Sequence, residues 1–488
     1  MGKHIGKSIK RVEDPRFIQG QGKYVANLKL PDMAHVAVLR SPHAHAKIKS
    51  INTDAAKAMD GVIDVFIGQD LIDGGVGKMP VIWQVPDNKI PDRWPLVPDK
   101  VRHVGDSVAA VVAEDPYIAA DALDLIEVDY EVLEATIGAK ATTENGKPLV
   151  HDEIENNISF KWGLGDREAC DKAFEEADHV VKLDLINQRL IPNAMEPRAC
   201  AAQWTAATEN MTVWTTSQNP HIIRFGLSAV TLPMLDEHKL RVISPDVGGG
   251  FGSKIFHYPE EVIVPWIAKK INRPCKWIAT RSESFMTDSQ GRDHVQNCKM
   301  ALKSDGTITG LYVEIHADMG AYLSSIAPLI PTVICITLFS GLYKNPGIWG
   351  ETTGTLTNTV PVDAYRGAGR PEASFLVERL VDIAAQELDM DPIEIRRKNF
   401  IGKDEFPYQT PVAFLYDSGD YHAMFDKLEK NADYKGMRAA QNKAKEDGRL
   451  VGIGVCGCVE ASGYGPAATV GALGFYGGMW EHGAIRVH

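Results

Sequence analysis

Residues 364–370 read Ala-Tyr-Arg-Gly-Ala-Gly-Arg. The glycines allow backbone to approach a ligand closely, and Arg366 and Arg370 carry guanidinium groups suited to gripping anions. A second run, Gly248-Gly249-Gly250-Phe251-Gly252, lies upstream and continues into Ser253-Lys254. It is not a Walker A loop, because Ser253 stands where the second glycine should be, and it is not G-x-G-x-x-G. Three consecutive glycines permit positive φ and free N–H groups to form an anion nest; the plainer reading is a tight strand-to-helix turn. The two loops suggest a large anionic cofactor held by backbone amides and a few arginines.

Other residues have chemical use at single positions. Gln218 follows a strand beside Asn219 and Pro220, where a carboxamide can hydrogen-bond a metal oxo group or serve as an ordinary loop residue. Arg281, in Thr280-Arg281-Ser282-Glu283, lies at another strand end and contacts a ligand or forms a salt bridge to Glu283 or a neighbour. Met195-Glu196-Pro197-Arg198 places a carboxylate and a guanidinium around a proline, as an ion pair or a functional set. The pairs His43/His45 and His482/His488 lack i,i+4 spacing and do not read as metal ligands. Seven cysteines with no C-x-x-C pair argue against disulfides, zinc and iron–sulfur clusters on this chain. Cys456 and Cys458 lie two apart in an apolar stretch and read as buried strand residues on one face.

These residues need a scaffold. Over the first ~140 residues the pattern is α+β: strands at 33–39 and 107–113, a helix started by the N-cap Asp115 with Pro116 behind it, and a strand at 125–132. Residues 84–99 contain four prolines and read as a loop, and the polar stretch 134–152 as a linker. Further strands are expected at 180–186, 211–216, 240–243 and 276–279, and a helix at 258–271 interrupted or kinked by Pro265. Residues 299–317 read as a hairpin turning at Ser304-Asp305-Gly306. A helix from Pro371 to Leu388 carries Leu376, Leu380, Ile383, Ala384 and Leu388 on one face. Residues 483–488 look like the opening of a strand, so the chain is expected to end within a domain.

Composition sets the class. The chain has 488 residues, 44% hydrophobic and 24% charged, with a net charge of −12. That is ordinary for a globular protein of about three domains, and it argues against nucleic acid as the main partner. No run of ~18 apolar residues and no secretory signal are present, so a cytoplasmic protein without a transmembrane segment is expected.

Taken in order, Arg11-Val12-Glu13-Asp14-Pro15, Arg40–Ala46, Met195–Arg198, Gly248–Gly252, Arg281–Ser284, Gly291-Arg292-Asp293 and Ala364–Arg370 closely resemble one family. The chain is similar to the large, molybdopterin-binding subunits of the xanthine dehydrogenase/aldehyde oxidase/carbon monoxide dehydrogenase family. The resemblance implies an α+β fold: an N-terminal arm (1–17), an α/β hammerhead domain (18–135) and a linker (136–160). An elongated mixed α/β molybdopterin-binding domain (161–405) and an incomplete second one (406–488) would follow. It implies molybdenum held through molybdopterin cytosine dinucleotide, with no direct protein ligand. It further implies hydroxylation of an aldehyde or N-heterocycle with water as the oxygen source. Electrons would leave to a small iron–sulfur subunit and a medium FAD-binding subunit.

Site roles follow from the resemblance alone. Gln218 would hydrogen-bond the apical oxo ligand, and Gly249, Gly250, Phe251 and Gly252 would line the molybdopterin. Arg366, Gly367 and Ala368 would lie beside the metal, and Arg281 and Ala368 would face a small-molecule substrate. Gly367 replaces the copper-binding cysteine of true carbon monoxide oxidisers, as in the form II, carbon monoxide dehydrogenase-like group. Ala368 replaces a purine-stacking aromatic ring, and Ile255 a purine-contacting glutamate. The general-base glutamate and a glutamine-rich cofactor loop are implied beyond position 488. One alternative is therefore a copper-free carbon monoxide dehydrogenase. Another is a catalytically incomplete fragment that needs a separate chain carrying the glutamate.

Overall fold

The computed structural model describes residues 4–461, 471 and 485–487. They fall into two compact units. The first comprises residues 1–80, 92–134 and 191–288, and the second residues 81–91, 135–190 and 289–488. The predicted strand opening at 483–488 and the pair His482/His488 lie largely outside the described residues, while 485–487 carry no regular structure.

The first unit is built on a seven-stranded sheet. From edge to edge its strands are Leu240–Ile243, Asn210–Thr215, Ala199–Thr205, Cys275–Ile278, Ala34–Arg40, Ser107–Ala113 and Val62–Ile67. Ser107–Ala113 is buried throughout because it is flanked by a strand on each side and covered on both faces. Ala109, Val111 and Ala113 pack toward Ala119 and Ala122 of the helix Pro116–Leu123. Ala110 and Val112 pack on the other face with Val262, Trp266 and Ile267 of the helix Glu260–Ile271. Asp115 caps its helix as expected, accepting the Tyr117 N–H at 2.8 Å. Pro265 lies inside Glu260–Ile271, which continues as one helix to a left-handed cap at Asn272.

The sheet's directions matter more than its size. Asn210–Thr215 and Leu240–Ile243 are parallel neighbours, and Ala199–Thr205 runs antiparallel between Asn210–Thr215 and Cys275–Ile278. Three strand C-termini and the N-terminus of Ala199–Thr205 therefore open at one end of the sheet. Chain segments leaving there are natural places for ligand-binding loops.

The second unit holds a five-stranded sheet in the order Ile158–Gly165, Gly347–Thr355, Ile308–Asp318, His294–Leu302, His179–Asn187. The expected hairpin is present, with Gly306 at φ +84° in its turn. The helix Arg370–Glu387 buries Leu376, Leu380 and Ala384 in a core shared with Val181, Cys298 and Met300. The 134–152 stretch carries no strand; buried Thr142 accepts Thr136 Oγ at 3.2 Å and donates to Leu356 O at 3.0 Å.

The expectation for Cys456 and Cys458 is corrected. Five cysteines are buried, but these two are exposed and residues 451–461 form no strand. Ile453, Val455, Val459 and Ala461 pack against the core instead, so the alternation is real and the cysteines occupy its outward positions.

Candidate functional site

In the first unit, the predicted residues gather at the sheet end just described. Gln218 stands three residues beyond Asn210–Thr215, and Gly248–Lys254 follow the parallel neighbour Leu240–Ile243. The Gly252 N–H donates to Gln218 Oε1 at 2.9 Å. A donor there must meet the amide oxygen, so Nε2 faces the other way. Gln218 is exposed, and its Nε2 has no partner among the described residues. A Cβ built on Gly250 would lie 2.2 Å from Gln218 Oε1 and 2.6 Å from Cδ. Glycine at 250 is therefore a packing requirement of the glutamine, whereas Gly249 and Gly252 are needed for φ of +99° and +105°.

The loop is braced from behind by a pair that sequence reading did not assign. Glu196 Oε2 accepts the Gly248 N–H at 2.6 Å and Lys254 Nζ at 3.1 Å. Lys254 Nζ also donates to Glu196 O at 2.8 Å, and Lys254 O accepts the Gln218 N–H at 2.8 Å. Burial lowers the Lys254 pKa, against the opposing pull of Glu196. One residue thus ties the glutamine, the glycine loop and the Met195–Arg198 segment together. The N–H groups of Gly249, Gly250 and Phe251 are left without acceptors among the described residues. Successive amides without acceptors, with positive φ at Gly249 and Phe251, have the backbone pattern of an anion nest.

Glu196 and Arg198 do not pair with each other. Arg198 is buried, donating to Glu260 and Asp288 at 2.6 Å each and standing 3.7 Å from the Tyr258 ring centroid. Arg40 completes this network on Glu260 and Glu283. Arg281 does not pair with Glu283 either: its Nη groups donate to Asn193 Oδ1 at 2.6 Å and Met195 O at 2.9 Å.

In the second unit the Ala364–Arg370 loop leads into the helix Arg370–Glu387, one residue ahead of the expected start. Its two arginines differ. Arg366 is exposed, with no side-chain partner among the described residues. Arg370 turns inward, donating to Gly367 O at 3.1 Å and Ala461 O at 2.6 Å and pairing with Glu460. The picture of two guanidiniums gripping one anion is therefore corrected: Arg370 holds protein backbone. Gly367 has φ +97°, and a Cβ there would lie 2.3 Å from Pro371 Cγ. Ala368 also takes a left-handed conformation, at φ +46°.

Beneath the loop lies Asp363, which accepts N–H bonds from Ala364 at 2.7 Å and Ile326 at 3.0 Å. Burial outweighs these bonds and pushes its carboxyl up to about 7. Arg292 donates to Tyr365 O and Arg366 O and pairs with Glu372. Its motif was visible in the sequence, but the carbonyls it serves were not.

Residues 150–400 match the molybdopterin cofactor-binding domain, and residues 19–134 the aldehyde oxidase and xanthine dehydrogenase a/b hammerhead domain. The chain is 36% identical to the carbon monoxide dehydrogenase large chain of Hydrogenophaga pseudoflava, over 98% of this chain and 60% of that one. It is 31% identical to the nicotinate dehydrogenase large molybdopterin subunit of Eubacterium barkeri, over 81% of this chain and 89% of that one. Quinoline 2-oxidoreductase from Pseudomonas putida 86 superposes with a TM-score of 0.87 at 32% identity, covering 92% of this chain and 56% of that structure. The chain thus spans about 60% of the length of the Hydrogenophaga relative.

Proposed function

Since the chain belongs to the aldehyde oxidase and xanthine dehydrogenase family of molybdopterin-binding proteins, we propose that it is the cofactor-binding part of a molybdenum hydroxylase. The substrate class we assign is an aldehyde or N-heterocycle. The cofactor would be molybdopterin cytosine dinucleotide, and the partners an iron–sulfur subunit and an FAD subunit in the cytoplasm. The relatives named for nicotinate and quinoline chemistry support this class.

The observation that carries the reading is Gln218. Its oxygen is committed to Gly252, so its Nε2 is a pre-aimed donor beside three uncommitted backbone N–H groups. That donor set fits an anionic cofactor bearing an oxo group. When bound, a molybdenum centre supplies two-electron oxidation with water as the oxygen source. This chain's residues then orient and neutralise. Gln218 donates a hydrogen bond and the Gly249–Phe251 amides hold negative charge. Arg281 braces residues 193–195 at the edge of the same loop cluster. A proton acceptor is also required, and we assign it to a glutamate outside residues 1–488.

A second reading, copper-free oxidation of carbon monoxide, draws on the 36% identity to the carbon monoxide dehydrogenase chain. Against a copper thiolate at this position, Gly367 combines positive φ with a blocked Cβ position. The deciding experiment measures molybdenum and cytidine monophosphate in the purified native complex, then turnover of aldehydes, N-heterocycles and carbon monoxide. Absence of both molybdenum and the nucleotide would refute the enzyme reading. Unchanged turnover in Gln218→Ala would refute the role given to that residue.

A further inference from the structure

Arg292 and Asp293 are consecutive non-glycine residues at φ +66° each, directly before the strand His294–Leu302. Such conformations are disfavoured for L-residues and persist where their surroundings enforce them. The enforcement is visible. Arg189 pairs with Asp293 at 2.5 Å and donates to Val360 O at 2.8 Å. Arg292 itself is 6% exposed at its side chain and faces Glu372, which is fully buried, at 3.2 Å.

What this strained arginine holds is backbone. Nη1 donates to Tyr365 O at 2.9 Å and Nη2 to Arg366 O at 2.8 Å. The guanidinium also stands 4.9 Å from the Tyr365 ring centroid. A planar trans peptide points its N–H opposite to its C=O. With the carbonyls of residues 365 and 366 both drawn to Arg292, the N–H groups of Arg366 and Gly367 are turned to the far side of the loop. Neither has an acceptor among the described residues. Arg370 takes the next carbonyl, Gly367 O.

We propose that Arg292 is a positioning residue: its fork on two consecutive carbonyls aims the Arg366 and Gly367 amides at an anionic group of the bound cofactor. This rests on the molybdenum hydroxylase reading. A lysine keeps the charge but not the planar fork, so Arg292→Lys is a real perturbation at this site. Glu372 is the buried counter-charge that keeps the fork in place.

The test uses the native complex carrying Arg292→Lys, Arg292→Gln or Glu372→Gln. The first readout is tryptic cleavage after the exposed Arg366, which reports loop order without any turnover. The second is molybdenum per protomer, and the third the split between kcat and KM. Folding is checked by thermal unfolding. We expect cleavage at Arg366 to quicken about tenfold or more in the Arg292 variants. Molybdenum content should fall in parallel, with Glu372→Gln intermediate. A purely structural role would lower thermal stability while leaving cleavage at Arg366 and metal content unmoved. The proposal is overturned if any folded variant stays within about twofold of wild type in cleavage and metal content. Should wild-type complex itself lack molybdenum, the hydroxylase reading fails, and the cleavage rates alone decide whether Arg292 holds the loop.

Discussion

Gly250→Ala should uncouple Gln218 from its loop, and the structure allows the size to be worked out. The new Cβ would meet Gln218 Oε1 at 2.2 Å, Cδ at 2.6 Å and Cγ at 2.7 Å. Because Cγ itself is struck, only a turn about the Cα–Cβ bond clears the clash, and that turn carries Oε1 away from the Gly252 N–H, so the glutamine must leave its seat. Its departure removes the Gly252 N–H bond, about 1 kcal/mol, and residual overpacking adds about 1–3 kcal/mol. A loss of about 2–4 kcal/mol is expected, measured by urea unfolding. Gly250 is not among the positive-φ glycines, so backbone strain does not confuse the result. The decisive comparison is a double-mutant cycle with Gln218→Ala. Truncating the glutamine removes the atoms that the Cβ would strike, and Gly250→Ala should then cost little. A coupling energy of about 1–3 kcal/mol is expected between the two sites. Additivity within about 0.5 kcal/mol would refute the packing argument, and with it the claim that Gly250 exists to seat Gln218.

The loop brace gives a second prediction: Lys254→Met leaves half-buried Glu196 without its cation and should cost about 2 kcal/mol by thermal unfolding, most of it recovered in the double variant with Glu196→Gln. Asp363 gives a third. Its carboxyl rises from 3.8 unfolded to about 7 folded, so the folded state binds the extra proton between those values. Its contribution to stability is complete below pH 3.8 and is lost as pH rises to about 7, by as much as about 4 kcal/mol. Asp363→Asn should abolish that slope in urea titrations run from pH 4 to 8; an unchanged slope would assign it elsewhere. Lastly, N-ethylmaleimide on the native chain should label Cys456 and Cys458 and spare the five buried cysteines, read by peptide mass spectrometry.

Much of the scaffold was legible because its signals are local. Asp115-Pro116, the Ser-Asp-Gly turn and the apolar run Val108–Ala113 each state their structure within a few residues. Gln218 and the Gly248–Gly252 loop were legible as residues, and parallel pairing of the strands before them explains why they meet. Charged partners were not legible. Glu196 prefers Lys254, 58 residues away, over its near neighbour Arg198, and Arg198 prefers Glu260 and Asp288. Such choices depend on which side chains burial brings together, and sequence proximity carries no information about that. Cys456 and Cys458 failed for a related reason: alternation shows that two residues share a face without showing which face meets the core.

The two units reach the same solution with different residues. In the first, buried Lys254 and half-buried Glu196 hold the Gly248 amide and the Glu196 carbonyl. In the second, Arg292 and Glu372 form the pair, and the carbonyls of Tyr365 and Arg366 are held. In both, charge is directed at backbone, and some loop amides have no acceptor among the described residues: those of Gly249, Gly250 and Phe251 in one, and of Arg366 and Gly367 in the other. A flexible glycine loop would lose entropy on ordering around a ligand; a loop already fixed by buried charges does not. The glycines are therefore not there for mobility. They permit φ values and close contacts that the braces then make permanent, and the free N–H groups follow from that rigidity.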